Sequence, residues 1–81
     1  MNREFKIGDF VTLDIEALAY NYALDRNRYH SMWHSRNMWI GRRYEVVEIC
    51  KHEFVLSELN GSWDTKNWML AKKDIKVKIK L

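Results

Sequence analysis

A mainly β protein with a helical insert between its first and second strands is predicted by three features of the sequence. Apolar residues alternate with a period of two in residues 10–13 and in several segments after residue 44. Between residues 15 and 33 the apolar spacing changes to steps of three, four and seven, which is the period of a helix. The 81 residues contain no linker and no internal repeat, so we expect a single domain, residues 1–81.

The first strand and the insert have clear local signals. Gly8 supplies the backbone freedom for a turn that leads into a short strand, residues 10–13. Asp14 can accept hydrogen bonds from the free amides of the first turn of a helix. We expect this helix to span about residues 15–25 and to extend, or restart, through residues 29–33.

The second half of the chain predicts four more strands. Asn60-Gly61 is its best turn signal, because a type I′ hairpin turn needs positive φ at both central positions. Residues 67–73 predict a single helical or 3₁₀ turn. The last segment alternates strictly, with lysines on the face toward water. The predicted strands are residues 44–50, 53–59, 62–65 and 74–81.

The order of these elements, and several short motifs, resemble an SH3-like barrel. Five strands with one helical turn before the last are the layout of that fold. The motifs are Ile7-Gly8-Asp9-x-Val11, Gly41-x-x-Tyr44-x-Val46-x-x-Ile49, and Trp63 followed by Trp68-Met69-Leu70 and Asp74-Ile75. Small phage proteins and barrel modules of the KOW and Mind-bomb type look similar.

The resemblance covers residues 5–13 and 39–80. It implies a five-stranded SH3-like barrel built from residues 5–13 and 39–81, with residues 14–38 as a helix-rich insert. Because SH3-like barrels bind peptides, proteins, RNA and DNA alike, the resemblance transfers no functional residue. An insert at this loop also speaks against a groove for proline-rich peptides.

Aromatic residues are expected to supply much of the core. The chain contains four Trp, four Tyr and three Phe, and each buried ring removes roughly 150–250 Å² from water. A chain of this length otherwise has only a marginal core. We expect Trp68 in the core, whereas Trp63 either fills the core or forms a surface patch with Tyr44.

Cysteine usage and hydropathy predict the compartment. The single cysteine, Cys50, cannot form an intramolecular disulfide and fits a reducing environment. Residues 1–6 have neither an apolar run nor the small-residue cleavage site of a signal peptide. The longest apolar runs are far below the ~20 residues that a membrane span needs. We therefore expect a cytoplasmic protein without a membrane partner.

Positive charge and aromatic residues are concentrated in one segment. Residues 26–44 hold five arginines and no Asp or Glu, against a net charge of +3 for the chain. Arginine forks match phosphate oxygens, and aromatic faces stack on unpaired bases, so this mixture predicts a surface for single-stranded nucleic acid. The candidate binding residues are Arg26, Arg28, Tyr29, Trp33, Arg36, Trp39, Arg42 and Arg43. Alternatively, the aromatic residues pack the insert onto the sheet and the arginines are solvated.

Four residues of metal-ligating type form a second candidate set, His30, His34, Cys50 and His52. On a helix the first two would share one face, but the spacing of the set matches no standard zinc motif. The glycines are isolated, so the sequence has no glycine-rich phosphate loop. We therefore expect no bound metal, no cofactor and no enzymatic activity.

Two functions fit these observations. The first is a small phage-type accessory protein that binds nucleic acid through the basic and aromatic residues of the insert. The second is a protein that docks on a larger host protein and modulates or inhibits it, because Arg and Trp are also enriched in protein-interface hot spots. An exposed aromatic helix also fits a homodimer.

Overall fold

The computed structural model describes residues 4–71, which contain two helices, five strands and two short 3₁₀ turns. The helices are α1 (Ile15–Leu24) and α2 (Arg26–His34). The 3₁₀ turns span Arg36–Met38 and Thr65–Asn67. The strands are β1 (Phe10–Leu13), β2 (Tyr44–Cys50), β3 (Glu53–Leu56), β4 (Ser62–Asp64) and β5 (Trp68–Leu70).

The strands form one antiparallel sheet in the order β4-β3-β2-β1-β5. Within residues 4–71 the sheet has β4 and β5 at its two edges and is not closed into a barrel. The two helices contain 10 and 9 residues, so the architecture is mixed α and β rather than mainly β as predicted. None of the helices in the described part of the chain is long and apolar enough to cross a membrane.

Strand β1, which lies between β2 and β5 in the sheet, forms where the sequence predicts it. Gly8 has a φ of 100° in the preceding turn, and its N–H donates to the Val46 carbonyl at 2.8 Å. Val11 and Leu13 alternate into the core and pair with Tyr44 and Trp68 on the neighbouring strands. This alternation fixes the register, because a shift by one residue would turn both side chains toward solvent.

Two aspartates define the boundaries of the helical insert. The Asp14 carboxylate accepts a hydrogen bond from the Ala17 N–H at 3.1 Å and so caps α1, as predicted. Asp25 alone separates the helices. Its N–H donates to the Asn21 carbonyl at 2.9 Å, and its carboxylate accepts from the Arg28 N–H at 3.1 Å. The predicted restart of the helix is therefore a second, separately capped helix.

The core lies between the sheet and the inner faces of the two helices. The helical spacing correctly identified Leu18 and Tyr29, which are buried, while Ile15, Tyr22 and Trp33 are half-buried against them. Trp68 is buried, as predicted. The buried hydrophobic residues are Val11, Leu13, Leu18, Tyr29, Trp39, Tyr44, Val46, Phe54, Leu56 and Trp68.

The hairpin after β3 differs from the predicted one. β3 ends at Leu56, because the chain turns there and the Leu59 N–H donates back to the Leu56 carbonyl at 3.2 Å. Glu58 takes a positive φ of 70°, and Gly61 takes 80°. Asn60 is not among the described residues with positive φ, so the predicted type I′ turn at Asn60-Gly61 is wrong.

The segment after β4 also differs from the prediction. The single helical turn lies at Thr65–Asn67 instead of residues 67–73, and Trp68 already begins β5. Trp68 is buried and pairs with Leu13 of β1. The backbone is therefore in a strand conformation at a point where the local sequence favours a turn. The strand predicted for residues 74–81, with its lysines, lies outside the described residues.

Candidate functional site

Two of the predicted aromatic binding residues pack inward and join the insert to the sheet. Tyr29 is 7% exposed, and its hydroxyl donates to Asp64 Oδ2 at 2.9 Å. Trp39 is 9% exposed and meets Trp63 edge to face, with ring centroids 5.3 Å apart. The alternative in which aromatic residues pack the insert onto the sheet therefore describes both side chains.

Trp63 also belongs to this interior group of rings. It is half-buried and lies edge-on to Trp68, with centroids 5.9 Å apart. Tyr44 contacts the same Trp68 ring at 6.0 Å and is buried. A surface patch formed by Trp63 and Tyr44 is therefore not what the structure shows.

Arg28 is held by an ion pair across the same junction. Its Nη2 lies 3.2 Å from Asp64 Oδ2, and its guanidinium lies 5.4 Å from the centroid of the Tyr29 ring. About half of the Arg28 side chain is exposed, whereas Asp64 is largely covered. Arg28 therefore helps to fix α2 against the end of β4, so its charge is partly neutralised.

The contact between α2 and Asp64 at the end of β4 also opposes the ionisation of Tyr29. Burial raises the pKa of Tyr29 above its ordinary value of 10.0, and the hydrogen bond and negative charge of Asp64 raise it further. As the pH rises, the unfolded chain loses this proton first. The stabilisation by neutral Tyr29 is therefore complete below pH 10 and is lost as the pH rises from there through the folded-state pKa.

We expect Tyr29→Phe to flatten the alkaline fall in stability. The measurement is the free energy of unfolding in urea at several pH values from neutral to above 10. Tyr20→Phe is the matched control, because Tyr20 is exposed and should leave the wild-type pH dependence intact. A Tyr29→Phe variant that loses stability as steeply as the wild type above pH 10 would contradict this account.

The third predicted aromatic residue, Trp33, is stacked on the protein's own side chains. Its ring lies 5.4 Å from that of Tyr22 at an interplanar angle of 12°. The Arg36 guanidinium carbon lies 3.9 Å from the Trp33 centroid, and Arg36 Nη1 donates to the Trp33 carbonyl at 2.7 Å. Arg26 lies over the Tyr22 ring at 5.7 Å. The result is a stack of two rings and two guanidinium groups on the side of the helix pair.

The outward face of α2 carries polar side chains that are either uncharged or basic. Four exposed residues follow the helical spacing i, i+3, i+4 and i+7, and we call them the polar stripe: Asn27, His30, Ser31 and His34. Arg26 is exposed beside the first turn of this stripe. No carboxylate side chain occurs between residues 26 and 44, so a negatively charged partner would meet no like charge from this segment.

Arg42 and Arg43 lie apart from α2, in the loop that leads into β2. The Arg42 N–H donates to the Trp39 carbonyl at 3.1 Å, and the Arg42 carbonyl accepts from Thr12 Oγ1 at 2.8 Å. Gly41, with a φ of 80°, turns the chain just before them. Both arginine side chains are exposed. The predicted arginines therefore lie in two places. Three lie on α2 or in the 3₁₀ turn that follows it, and two lie in a separate loop that is hydrogen-bonded to β1.

The candidate metal ligands do not form one site. His30 and His34 are adjacent, with ring centroids 4.4 Å apart, and His34 Nε2 lies 3.5 Å from the Tyr22 hydroxyl. Cys50 ends β2, and His52 lies in the turn before β3. Among residues 4–71, no group of three or more His, Cys, Asp or Glu residues is placed to hold a metal ion.

Asn67 is a polar residue that joins several elements of the fold, although nothing in the local sequence marks it. It is fully buried, and its Oδ1 accepts from Asn21 Nδ2 at 2.8 Å. Its Nδ2 donates to Met32 Sδ at 3.7 Å, and its carbonyl accepts from the Asp14 N–H at 2.9 Å. Asn67 therefore ties α1, α2 and the end of β1 to the turn before β5. These partners are distant in sequence, so no local pattern could reveal them.

Comparison of the chain with protein-family models, with curated proteins and with solved structures finds no match.

Proposed function

We propose that the protein is a non-enzymatic, phage-type accessory protein that binds nucleic acid through α2 and the arginines that follow it. One observation carries the proposal. The exposed surface between residues 26 and 43 presents arginines, hydrogen-bonding side chains and two apolar side chains, Met38 and Ile40, without a single carboxylate. Phosphate oxygens are the acceptors that such a surface fits, because guanidinium groups pair with them in a forked geometry.

The surroundings of each arginine indicate which of them are available to contact phosphate. Arg28 is paired with Asp64 and mainly holds α2 in place. Arg36 is half-buried and stacked on Trp33, so it is less available to a ligand. Arg26, Arg42 and Arg43 have exposed side chains and are the proposed principal phosphate contacts.

The strand order β4-β3-β2-β1-β5 supports the proposal of an SH3-like topology, although the sheet is open within residues 4–71. The five strands are antiparallel, and a single 3₁₀ turn precedes β5, as in the layout that the sequence motifs resemble. The helical insert stands between β1 and β2. A cytoplasmic location, expected from the single cysteine, belongs to the same proposal.

The test is the salt dependence of binding to a labelled oligonucleotide. Replacing Arg26, Arg42 and Arg43 together by Gln should weaken binding and reduce the slope of log K against log salt by about 0.7–0.9 for each phosphate that the variant no longer neutralises. Replacing Lys6, Lys51 and Lys66 together by Gln is the matched control, because it removes three exposed positive charges outside the proposed surface. Unchanged affinity and slope in the triple variant would refute the proposal.

A pull-down from bacterial lysate separates this function from docking on a host protein. Retention of nucleic acid, with co-eluting proteins removed by nuclease treatment, supports nucleic-acid binding. Retention of one protein in stoichiometric amount despite nuclease would favour a docking modulator or inhibitor instead. In that case Tyr20 and Leu24, one turn apart on α1 and 66% and 69% exposed, would be the first anchors to mutate.

A further inference from the structure

We infer that the nucleic acid bound by this protein is duplex DNA, with α2 lying in the major groove, rather than the single strand that the sequence alone suggests. The inference rests on the proposed function and specifies its ligand. It depends on which side chains of the insert are available to contact a ligand.

The insert has no open aromatic platform beside its arginines. Stacking on successive bases needs exposed ring faces along a basic groove. Tyr29 and Trp39 are buried, and Trp33 is already stacked on Tyr22 and Arg36. Tyr20 is exposed, but it lies on α1, which contains no basic residue. Among the described residues of the insert, the rings near positive charge are therefore engaged within the protein.

The polar stripe has the composition of a surface that faces base edges. Asn27 can pair with adenine through two hydrogen bonds, and Ser31 can donate to or accept from any base. The histidine rings at positions 30 and 34 add further hydrogen-bonding groups along the same line. These side chains are short enough to let the helix backbone approach the groove floor, and none of them is apolar or acidic.

The dimensions and the flanking charges agree with a helix in a groove. An α-helix with its side chains is about 10–12 Å in diameter, and the major groove of B-form DNA is about 12 Å wide, so α2 fits the groove across its width. Arg26 stands at one end of the stripe with an exposed side chain, which can reach the phosphates that border the groove. Arg36 follows the other end, where its guanidinium is stacked on Trp33.

Duplex RNA is a poorer fit than duplex DNA. The major groove of an A-form helix is deep and narrow, so side chains on an α-helix cannot read it.

The Asp25 carboxylate adjoins the stripe at the N-terminus of α2. It accepts a hydrogen bond from the Arg28 N–H, and this bond and the helix dipole partly offset its negative charge.

The test compares four ligands of one sequence at one salt concentration by fluorescence anisotropy: a DNA duplex, each of its single strands, and the matching RNA duplex. We expect the DNA duplex to bind at least about tenfold more tightly than the others. Tighter binding to a single strand, or to the RNA duplex, would overturn the inference while leaving nucleic-acid binding in place.

A charge placed in the stripe gives a second, independent measurement. Ser31→Glu introduces a carboxylate on the outward face of α2, where it would meet the groove, and should weaken duplex binding about tenfold or more. Ala23→Glu adds the same negative charge at an exposed position of α1 and should alter binding less than about twofold. Equal weakening in the two variants would show that α2 does not enter the groove. Absence of binding to all four ligands at low salt would refute the proposed function itself.

Discussion

Phe54→Ala should lower the free energy of unfolding by about 3–5 kcal/mol, the cost of deleting a large ring from a well-packed core. Phe54 has no exposed surface and contacts Phe5 edge to face, with centroids 5.1 Å apart. It also pairs with Ile49 and Trp63 across the sheet. Since natural domains are stable by about 5–15 kcal/mol, this decrease is a large part of the total.

Urea denaturation followed by circular dichroism measures this decrease. Phe10→Ala is the matched control, because Phe10 is 50% exposed on β1 and its removal should cost less than about 1 kcal/mol. Similar decreases in both variants would contradict the placement of Phe54 in the core.

Asn67→Asp should destabilise the protein by several kcal/mol at neutral pH, because it places an unpaired carboxylate where no side-chain surface is exposed. The substitution keeps the size and shape of the side chain and retains an acceptor for Asn21. It removes the donor to Met32 and adds a negative charge between both helices and the sheet. The expected destabilisation is therefore electrostatic in origin.

The pH dependence distinguishes this cause from a packing defect. Burial raises the folded-state pKa of the introduced carboxyl above the ordinary value of about 3.9, so the folded state retains its proton to higher pH. The destabilisation should be absent well below pH 3.9 and grow as the pH rises toward the folded-state pKa. Asn60→Asp, at an exposed loop position, should show little destabilisation at any pH. A destabilisation by Asn67→Asp that does not change with pH would contradict the electrostatic explanation.

Local signals were sufficient for the first half of the fold. The alternation of Val11 and Leu13 and the cap at Asp14 depend on neighbours within four residues, and the structure confirms both. The same reasoning failed after β3. There the side-chain oxygen of Ser57 accepts from the Glu45 N–H at 3.1 Å, and the chain turns earlier than Asn60-Gly61 suggests. The turn is set by a partner on another strand, which local patterns do not contain.

In the candidate site, too, some features follow from the local sequence and others depend on partners that are distant in sequence. The concentration of arginines in residues 26–44 is visible in the sequence, but the state of each side chain is not. Tyr29 and Arg28 meet Asp64 only because the fold brings together residues that are 35 and 36 positions apart. The sequence could therefore identify the basic segment, and the structure was needed to separate side chains that hold α2 from side chains that face outward.

The single-residue junction at Asp25 fixes the rotational phase of α2. Each residue of a helix turns the next by about 100°, so one residue inserted at Asp25 would rotate Tyr29 out of the core and carry the polar stripe inward. A substitution at Asn27 or Ser31 does not rotate the helix. It changes an exposed side chain while the buried face of α2 stays in place. Point substitution can therefore change the chemistry of the exposed face of α2 without disturbing the core, whereas a change of length at Asp25 would disturb both faces at once.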